Sequence, residues 1–469
     1  LSNSSILTRR EILAATATAA ISSRTAWAQR RAAKPNIVYI MADDLGYADL
    51  SCYGRREYKT PSIDSIALRG VRFLQAYANS AVCSATRTAL ITGRYQYRLR
   101  VGLEEPVRNP SPYGLPPEHP TLPSLLRKAG YGTTLIGKWH LGGLPDFGPL
   151  KSGYDHFWGF RGGGLDYFTH KSGIARTDTE DLWEDDVKIH QAGYLTDLMG
   201  DRAVRVIGDY AKSGKLFLLS LHFNAPHWPW EGPGDEAESQ RIKALVDRDG
   251  GSMKTYAQMV TRMDMQVGRV LKAISNAGIA GNTIVVFTSD NGGERFSDTW
   301  PFTGKKTELL EGGLRIPALA LWPGHIRPGT TTDQVGVTMD WMPTFLAAAG
   351  TAPDPAFPPD GFNLLPQLTQ GAAPVPRRLY WRYHYNLQRA FRDGDIKYLR
   401  IAGNEFLFNV VDDPLERANL KDRQPEVFKR MVRDYAEWNA TMLPDNDDAS
   451  SGPLGYADEL ADHFGVQRK

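Results

Sequence analysis

Residues 36–41, Asn-Ile-Val-Tyr-Ile-Met, are a near-continuous apolar, β-branched run, the pattern of a strand buried on both faces. Comparable runs recur at 133–136, 216–221, 283–288 and 318–321. Helical patterns lie between them, over 121–129, 195–211 and 256–277. Strands alternating with helices predict an α/β fold around a mostly parallel sheet covered on both faces. In such sheets the chemistry collects beyond the carboxyl ends of the strands. The stretch 351–376 is rich in proline, and after it the pattern changes. Short aromatic runs at 379–385, 388–391, 396–400 and 406–411, with turns such as Asp393-Gly394, predict a small antiparallel sheet. A helix over Pro425–Asn439 and a polar tail close it. The expected division is a large domain, 29–375, and a small α+β domain with its tail, 376–469.

A chain of 469 residues, 42% hydrophobic and 23% charged, has room for one large and one small domain. No apolar run reaches the ~18 residues of a membrane span. Residues 1–28 read as a twin-arginine-type signal peptide. Thr8-Arg9-Arg10-Glu11-Ile12-Leu13 is followed by a mildly apolar Ala/Thr stretch and by Ala26-Trp27-Ala28 as the cleavage site. The expected partner is the twin-arginine export machinery, and the expected location is periplasmic or secreted. This leader carries Arg9, Arg10 and Arg24 against Glu11, which accounts for the chain's net charge of +2. The remainder is close to neutral and offers no clustered basic surface for nucleic acid.

Two cysteines in an exported chain suggest a disulfide between Cys52 and Cys83. The surroundings of Cys83 argue otherwise. Cys83-Ser84-Ala85-Thr86-Arg87 puts an arginine four residues on, so sulfur and guanidinium share one face of a helical turn. A disulfide does not require that arginine, and Cys52 reads as a small free thiol.

The first strand runs into Asp43-Asp44, and the strand at 283–288 runs into Asp290-Asn291. Either pair alone is an ordinary turn sequence. Two distant strands each delivering a pair of oxygen ligands suit a hard divalent cation. Glycine-flanked Lys138-Trp139-His140 offers a lysine and a histidine two apart; in an extended segment both point to one side, with Trp139 on the other. His227 follows a buried-looking strand in Asn224-Ala225-Pro226-His227-Trp228-Pro229, whereas His222, inside that strand, reads as a satisfied core histidine. Lys305-Lys306 adds positive charge ahead of Glu311-Gly312-Gly313.

Cys-x-Ala-x-Arg followed by Leu90-Ile91-Thr92-Gly93 resembles the signature of the type I, formylglycine-dependent sulfatases. The two acidic pairs match that family's metal motifs. Gly137-Lys138-Trp139-His140-Leu141-Gly142, Ala225-Pro226-His227 and Glu311-Gly312-Gly313-Leu314-Arg315-Ile316-Pro317 follow in the family's order. The match runs from Asn36 to about Leu420 and looks most like the arylsulfatase and N-acetylgalactosamine-6-sulfatase branch. It implies an alkaline phosphatase-like large domain on a central mixed sheet, with a small C-terminal sheet domain. It implies calcium, with magnesium as the alternative, held by Asp43, Asp44, Cys83, Asp290 and Asn291. It also implies oxidation of Cys83 to formylglycine by a formylglycine-generating enzyme. Family spacing back from Glu311 selects Lys306 as the sulfate-binding lysine, with Lys305 close behind. Two departures stand out: Ala85 replaces the commoner proline, and 159–167 lacks the serine some relatives use, holding glycines and Asp166 instead.

The reaction so implied is hydrolysis of a sulfate monoester. Water adds to the aldehyde at position 83, and one hydroxyl of the diol attacks sulfur. The alcohol leaves with a proton from His140 or His227, and the second hydroxyl then expels sulfate. Arg87 and Lys138 are expected to hold the diol and the sulfate oxygens, and Lys306 the sulfate. Two other functions stay open on the residues alone. One is a phosphonate or phosphate ester hydrolase on the same scaffold; the other is a non-catalytic binder of sulfated glycans, if Cys83 stays unmodified. Aromatic and polar segments at 158–170, 228–239 and 383–388 suit stacking on sugars or aryl groups, and a sulfated carbohydrate is the expected natural ester.

Overall fold

Strand β1 (Asn36–Ala42) is buried along its whole length, and its side chains alternate between two cores. Val38, Ile40 and Ala42 face one cluster, with the helices Pro61–Arg69, Leu195–Ser213 and Met253–Asn276. Ile37, Tyr39 and Met41 face the other, with Leu122–Lys128, Trp341–Ala348 and the far end of Cys83–Thr92. This is a computed structural model, and it describes residues 34–108, 110–172, 179–241, 250–445 and 448–452. The leader read at 1–28 lies outside the described residues. No helix among them is long and apolar enough to cross a membrane.

The remaining strands, in chain order, begin with β2 (Val71–Phe73), β3 (Ala76–Tyr77), β4 (Gly132–Lys138), β5 (His156–Phe160), β6 (Trp183–Glu184) and β7 (Val187–Lys188). Then come β8 (Phe217–His222), β9 (Thr283–Ser289), β10 (Ala318–Leu321), β11 (Thr330–Thr332) and β12 (Gly336–Val337). The last four are β13 (Arg378–Tyr383), β14 (Gln388–Asp393), β15 (Ile396–Ile401) and β16 (Asn404–Asn409). Ten of them form one sheet in the order β11-β2-β10-β9-β1-β8-β4-β5-β6-β7. Its centre, β9-β1-β8-β4-β5, is parallel, while β10, β6 and β7 pair antiparallel. The sheet is therefore mixed and mostly parallel at its heart, with helices on both faces. The five strands predicted for it are all present; β5 and the very short strands β2, β6, β7 and β11 are not among those predicted, the latter four carrying too little apolar pattern to be seen in advance.

The predicted C-terminal sheet is β13-β14-β15-β16, antiparallel throughout. One of its faces, with Leu379, Trp381, Tyr383 and Leu399, packs on Tyr77, Val82, Cys83 and Ala85. The other, with Phe391, Tyr398 and Leu407, packs on Met431 and Tyr435 of the helix Pro425–Asn439. The helix Cys83–Thr92 is thus enclosed by both sheets, and all ten of its residues are buried. Gly93 ends it in a left-handed turn (φ 67°), where a Cβ would press on Met342.

Candidate active site

The parallel register delivers the acidic pairs side by side. β1 and β9 are neighbours, with Ala42 opposite Ser289, so Asp43-Asp44 and Asp290-Asn291 leave the same sheet edge together. The Asp44 N–H donates to Asp290 Oδ1 (3.2 Å), and Asn291 Nδ2 donates to Asp44 Oδ1 (2.7 Å). Asp44 takes a left-handed backbone (φ 64°), a conformation aspartate tolerates better than most residues. On the other side of β1, β8 leads to His222 and His227, and β4 beyond it ends at Lys138. Gly137, one residue earlier, has φ 103°, and a Cβ there would lie 1.9 Å from the His222 carbonyl oxygen. The glycine before Lys138 is therefore a requirement of close strand packing.

Three carboxylates and three bases meet here in matched pairs. Lys138 Nζ donates to Asp43 Oδ2 (2.6 Å), and Lys306 Nζ to Asp44 Oδ2 (2.6 Å). Arg87 donates through Nε (3.1 Å) and Nη2 (2.8 Å) to Asp290 Oδ2. All six side chains are buried. Cys83 closes the cluster: ligand atoms of Asp43, Cys83 and Asp290 lie within 4.8 Å of one another, as do those of Asp43, Asp44 and His227. Both cysteines are free thiols, so no Cys52–Cys83 bridge forms.

Asp43 Oδ1 and Asn291 Oδ1 are buried acceptors with no hydrogen-bond donor. Burial, then the nearby Asp290, pushes the Asp43 carboxyl well above its usual range despite Lys138. Burial acts on Asp44 in the same sense, but Lys306 and then His227 hold it below the ordinary range. Clustered carboxylates and a free amide oxygen, all buried together, fit a hard divalent cation. Burial also pushes the Cys83 thiol up to about 11, against Lys138 and Lys306, so as a cysteine it is a poor nucleophile at neutral pH.

His140 and His227 flank the cluster in different settings. His140 Nε2 lies 2.9 Å from the Val107 carbonyl oxygen, which fixes the proton on Nε2 and leaves Nδ1 without a partner. His227 Nδ1 lies 2.6 Å from the Trp228 carbonyl oxygen, and its Nε2 is 3.6 Å from Asp44 Oδ2. Burial holds both imidazoles well below the usual histidine range. The other charges on His140, from Lys138, Arg87 and His227, act in the same direction. On His227, Lys306 lowers and Asp44 raises.

Every residue singled out as catalytic or metal-binding, Asp43, Asp44, Cys83, Arg87, Lys138, His140, His227, Asp290, Asn291 and Lys306, belongs to this neighbourhood. Of the two lysines, Lys306 enters it, while Lys305 is half-buried and its backbone N–H donates to Glu308. Three expectations need correction. Lys138 and His140 are not neighbours on an extended segment; β4 stops at Lys138, and His140 is left-handed (φ 60°). The donors of Arg87 are largely engaged by Asp290, the Lys138 carbonyl and His222, rather than free for a sulfate. His222 is not merely a core histidine, since its Nδ1 is 3.3 Å from Arg87 Nη1.

Sequence reasoning also missed the supports. Asp49 accepts from Gly46 N–H, the Ser297 hydroxyl, Asp298 N–H and the Tyr256 hydroxyl, tying the Asp43-Asp44 turn to the segment before Lys306. Its place in Asp-Asp-Leu-Gly-Tyr-Ala-Asp was the available signal. Ser84, beside Cys83, accepts from the Val107 N–H (2.9 Å), so one loop contacts both the helix start and His140.

The Sulfatase family profile matches residues 35–351. The N-acetylgalactosamine-6-sulfatase of Homo sapiens is 34% identical over 72% of this chain and 66% of its own length. This chain thus spans just under two thirds of that relative. The arylsulfatase J of Mus musculus is 28% identical over 88% of this chain and 77% of its own. Among solved structures, Ps i-CgsB superposes with a TM-score of 0.81 at 30% identity, covering 89% of this chain and 95% of that one. A second structure of Ps i-CgsB, in complex with k-i-k-neocarrahexaose, gives 0.78. With the matched motifs now gathered around one buried cluster, the chain belongs to the sulfatase family, enzymes that hydrolyse sulfate esters.

Proposed function

We propose that this protein cleaves sulfate monoesters with Cys83 in its formylglycine form and calcium at Asp43, Asp44, Asp290 and Asn291. The observation that carries the reading is the convergence of Cys83 with Asp43 and Asp290, ligand atoms within 4.8 Å, beside Lys138, Lys306 and two histidines. When present, the cation supplies a Lewis acid for a sulfate oxygen and the formylglycine a hydroxyl nucleophile. The chain's own residues do the rest. Lys138 and Lys306, paired with the metal carboxylates here, carry the N–H donors that meet the peripheral sulfate oxygens. Arg87 holds Asp290 in place.

The two histidines divide the proton work. His227 turns Nε2 toward Asp44 and the cluster, the position from which a proton reaches the leaving alcohol, while burial and then Lys306 outweigh Asp44 and keep the imidazole a weak base that gives its proton up readily. His140 is surrounded by positive charge and keeps a bare Nδ1, so it takes up the proton released as sulfate is expelled. The walls near His140 and His227 include Gly163, Gly164 and Trp228. The Trp228 ring beside His227 offers an aromatic face of the kind that stacks on the sugar of a sulfated carbohydrate, and Ps i-CgsB in complex with a neocarrahexaose supports that class. The twin-arginine pattern at 8–13 supports export to the periplasm or beyond.

The test is sulfate release from p-nitrophenyl sulfate, phenylphosphonate hydrolysis as its competitor, and a panel of sulfated mono- and oligosaccharides. Turnover of sulfate esters, with at least one carbohydrate in the panel, is expected. A preference for phosphonate would overturn the reaction, and turnover of aryl sulfates only would overturn the substrate class.

A further inference from the structure

A guanidinium has five N–H donors and no acceptor, so every polar group around a buried one must accept. Asp290 Oδ2 takes Nε and Nη2 of Arg87, and the Lys138 carbonyl takes one Nη1 hydrogen at 3.1 Å. The remaining Nη1 hydrogen faces His222 Nδ1 at 3.3 Å. That nitrogen is also 3.3 Å from the Lys138 carbonyl oxygen. A proton on Nδ1 would compete with Nη1 for the carbonyl and crowd the guanidinium. A lone pair there satisfies Arg87 instead and places the imidazole proton on Nε2.

The far side of the ring agrees with this tautomer. His222 Nε2 and Tyr39 Oη are both buried without a protein partner. Both residues line one cavity of about 20 Å³, enough for a single water, with Arg87, Tyr154 and Ser220 at its polar end and an otherwise apolar wall that includes Leu90 and Trp139. The backbone of His222 is held in the sheet by its pairing with Gly137, where even a Cβ would collide with the His222 carbonyl oxygen.

We propose that His222 is a positioning residue of this active site: its Nδ1 fixes the Arg87 guanidinium on Asp290, and its Nε2 is anchored through one water to Tyr39. The proposal rests on the function above only in taking Arg87 to serve ester hydrolysis.

A double-mutant cycle tests it, using whichever of p-nitrophenyl sulfate or phenylphosphonate the wild type hydrolyses; failure on sulfate alone would count against the function and leave the cycle readable. His222→Leu should lower kcat roughly tenfold or more with KM within about twofold. His222→Asn, whose amide oxygen falls near the place of Nδ1, should recover most of the loss. His222→Gln, whose amide reaches toward the place of Nε2, should resemble His222→Leu. Introduced on top of Arg87→Lys, His222→Leu should cost less than about twofold. A crystal structure of the His222→Leu protein should show the guanidinium turned away from Asp290. Equal losses in both backgrounds, an Asn variant no better than Gln, or an unmoved guanidinium would overturn the proposal. Should His222→Leu fail to fold, the Asn and Gln pair still decides.

Discussion

Lys306 and Lys305 are adjacent in sequence and opposite in circumstance, which makes them the sharpest test at the scale of single residues. Lys306 is buried against Asp44, where its charge acts at low dielectric. Lys306→Ala is expected to lower kcat/KM by about 10²-fold or more, and Lys305→Ala by less than about threefold, measured on the same sulfate ester. The histidines separate by leaving group. Losing the acid hurts most when the departing alcohol is a poor one, so the deficit of His227→Ala should grow from p-nitrophenyl sulfate to an alkyl or sugar sulfate. The deficit of His140→Ala should stay nearly constant across that series. A reversed pattern would exchange the two roles.

At the scale of elements, the loop at 104–107 holds the site together from outside. Val107 anchors His140 and Ser84, while Glu104 and Glu105 bind the end of the described chain. Ser450 N–H donates to Glu104 (3.1 Å), Glu105 N–H to the Ser450 carbonyl (2.6 Å), and the Ser451 hydroxyl to Glu105 (3.1 Å). Ending the chain at Asp445 is therefore expected to lower kcat by roughly three- to tenfold, with a smaller change in KM, because His140 loses its fixed orientation. Steady-state kinetics check this, and an unchanged kcat would show that the loop stands without the tail. These links were invisible in the sequence, since Glu104 and Ser450 lie 346 residues apart and carry no periodic signal. The opposite holds for β1 and β9. Their apolar runs announced fully buried strands, and the polar residues at their ends could only lie at the sheet edge. What the pattern could not supply was neighbourhood: that β9 pairs with β1, and that β8 brings His222 under Arg87, follow from sheet order. His222 was misread for that reason, because a polar residue inside an apolar strand looks the same whether it serves the core or the site.

For the whole molecule, buried titratable groups shape stability against pH. His140, His222 and His227 are all held below the usual histidine range, first by burial. As pH falls below about 6.5 the unfolded chain binds protons that the folded one refuses, so stability is full above that value and is lost on acidification. Glu105 behaves in the opposite sense. Burial pushes it up to about 8, so the folded state keeps a proton that the unfolded chain releases from about 4.5 upward. Its contribution is complete at low pH and fades as pH rises through 8. Between about pH 4.5 and 8 Glu105 therefore favours the folded state more as pH falls, opposing the histidines below about 6.5, and Glu105→Gln should remove that support and leave the fall of the melting temperature on acidification steeper. Calcium binding to the folded state alone should raise the melting temperature in step with its concentration, and chelation should reverse it. Beneath these effects lies one claim, that position 83 is the nucleophile of this cluster and is not a thiol when it acts. Mass spectrometry of the peptide containing Cys83, taken from protein that hydrolyses a sulfate ester, tests it most directly. The peptide should be roughly 18 Da lighter than its cysteine form; a fully unmodified thiol in actively hydrolysing protein would contradict the account.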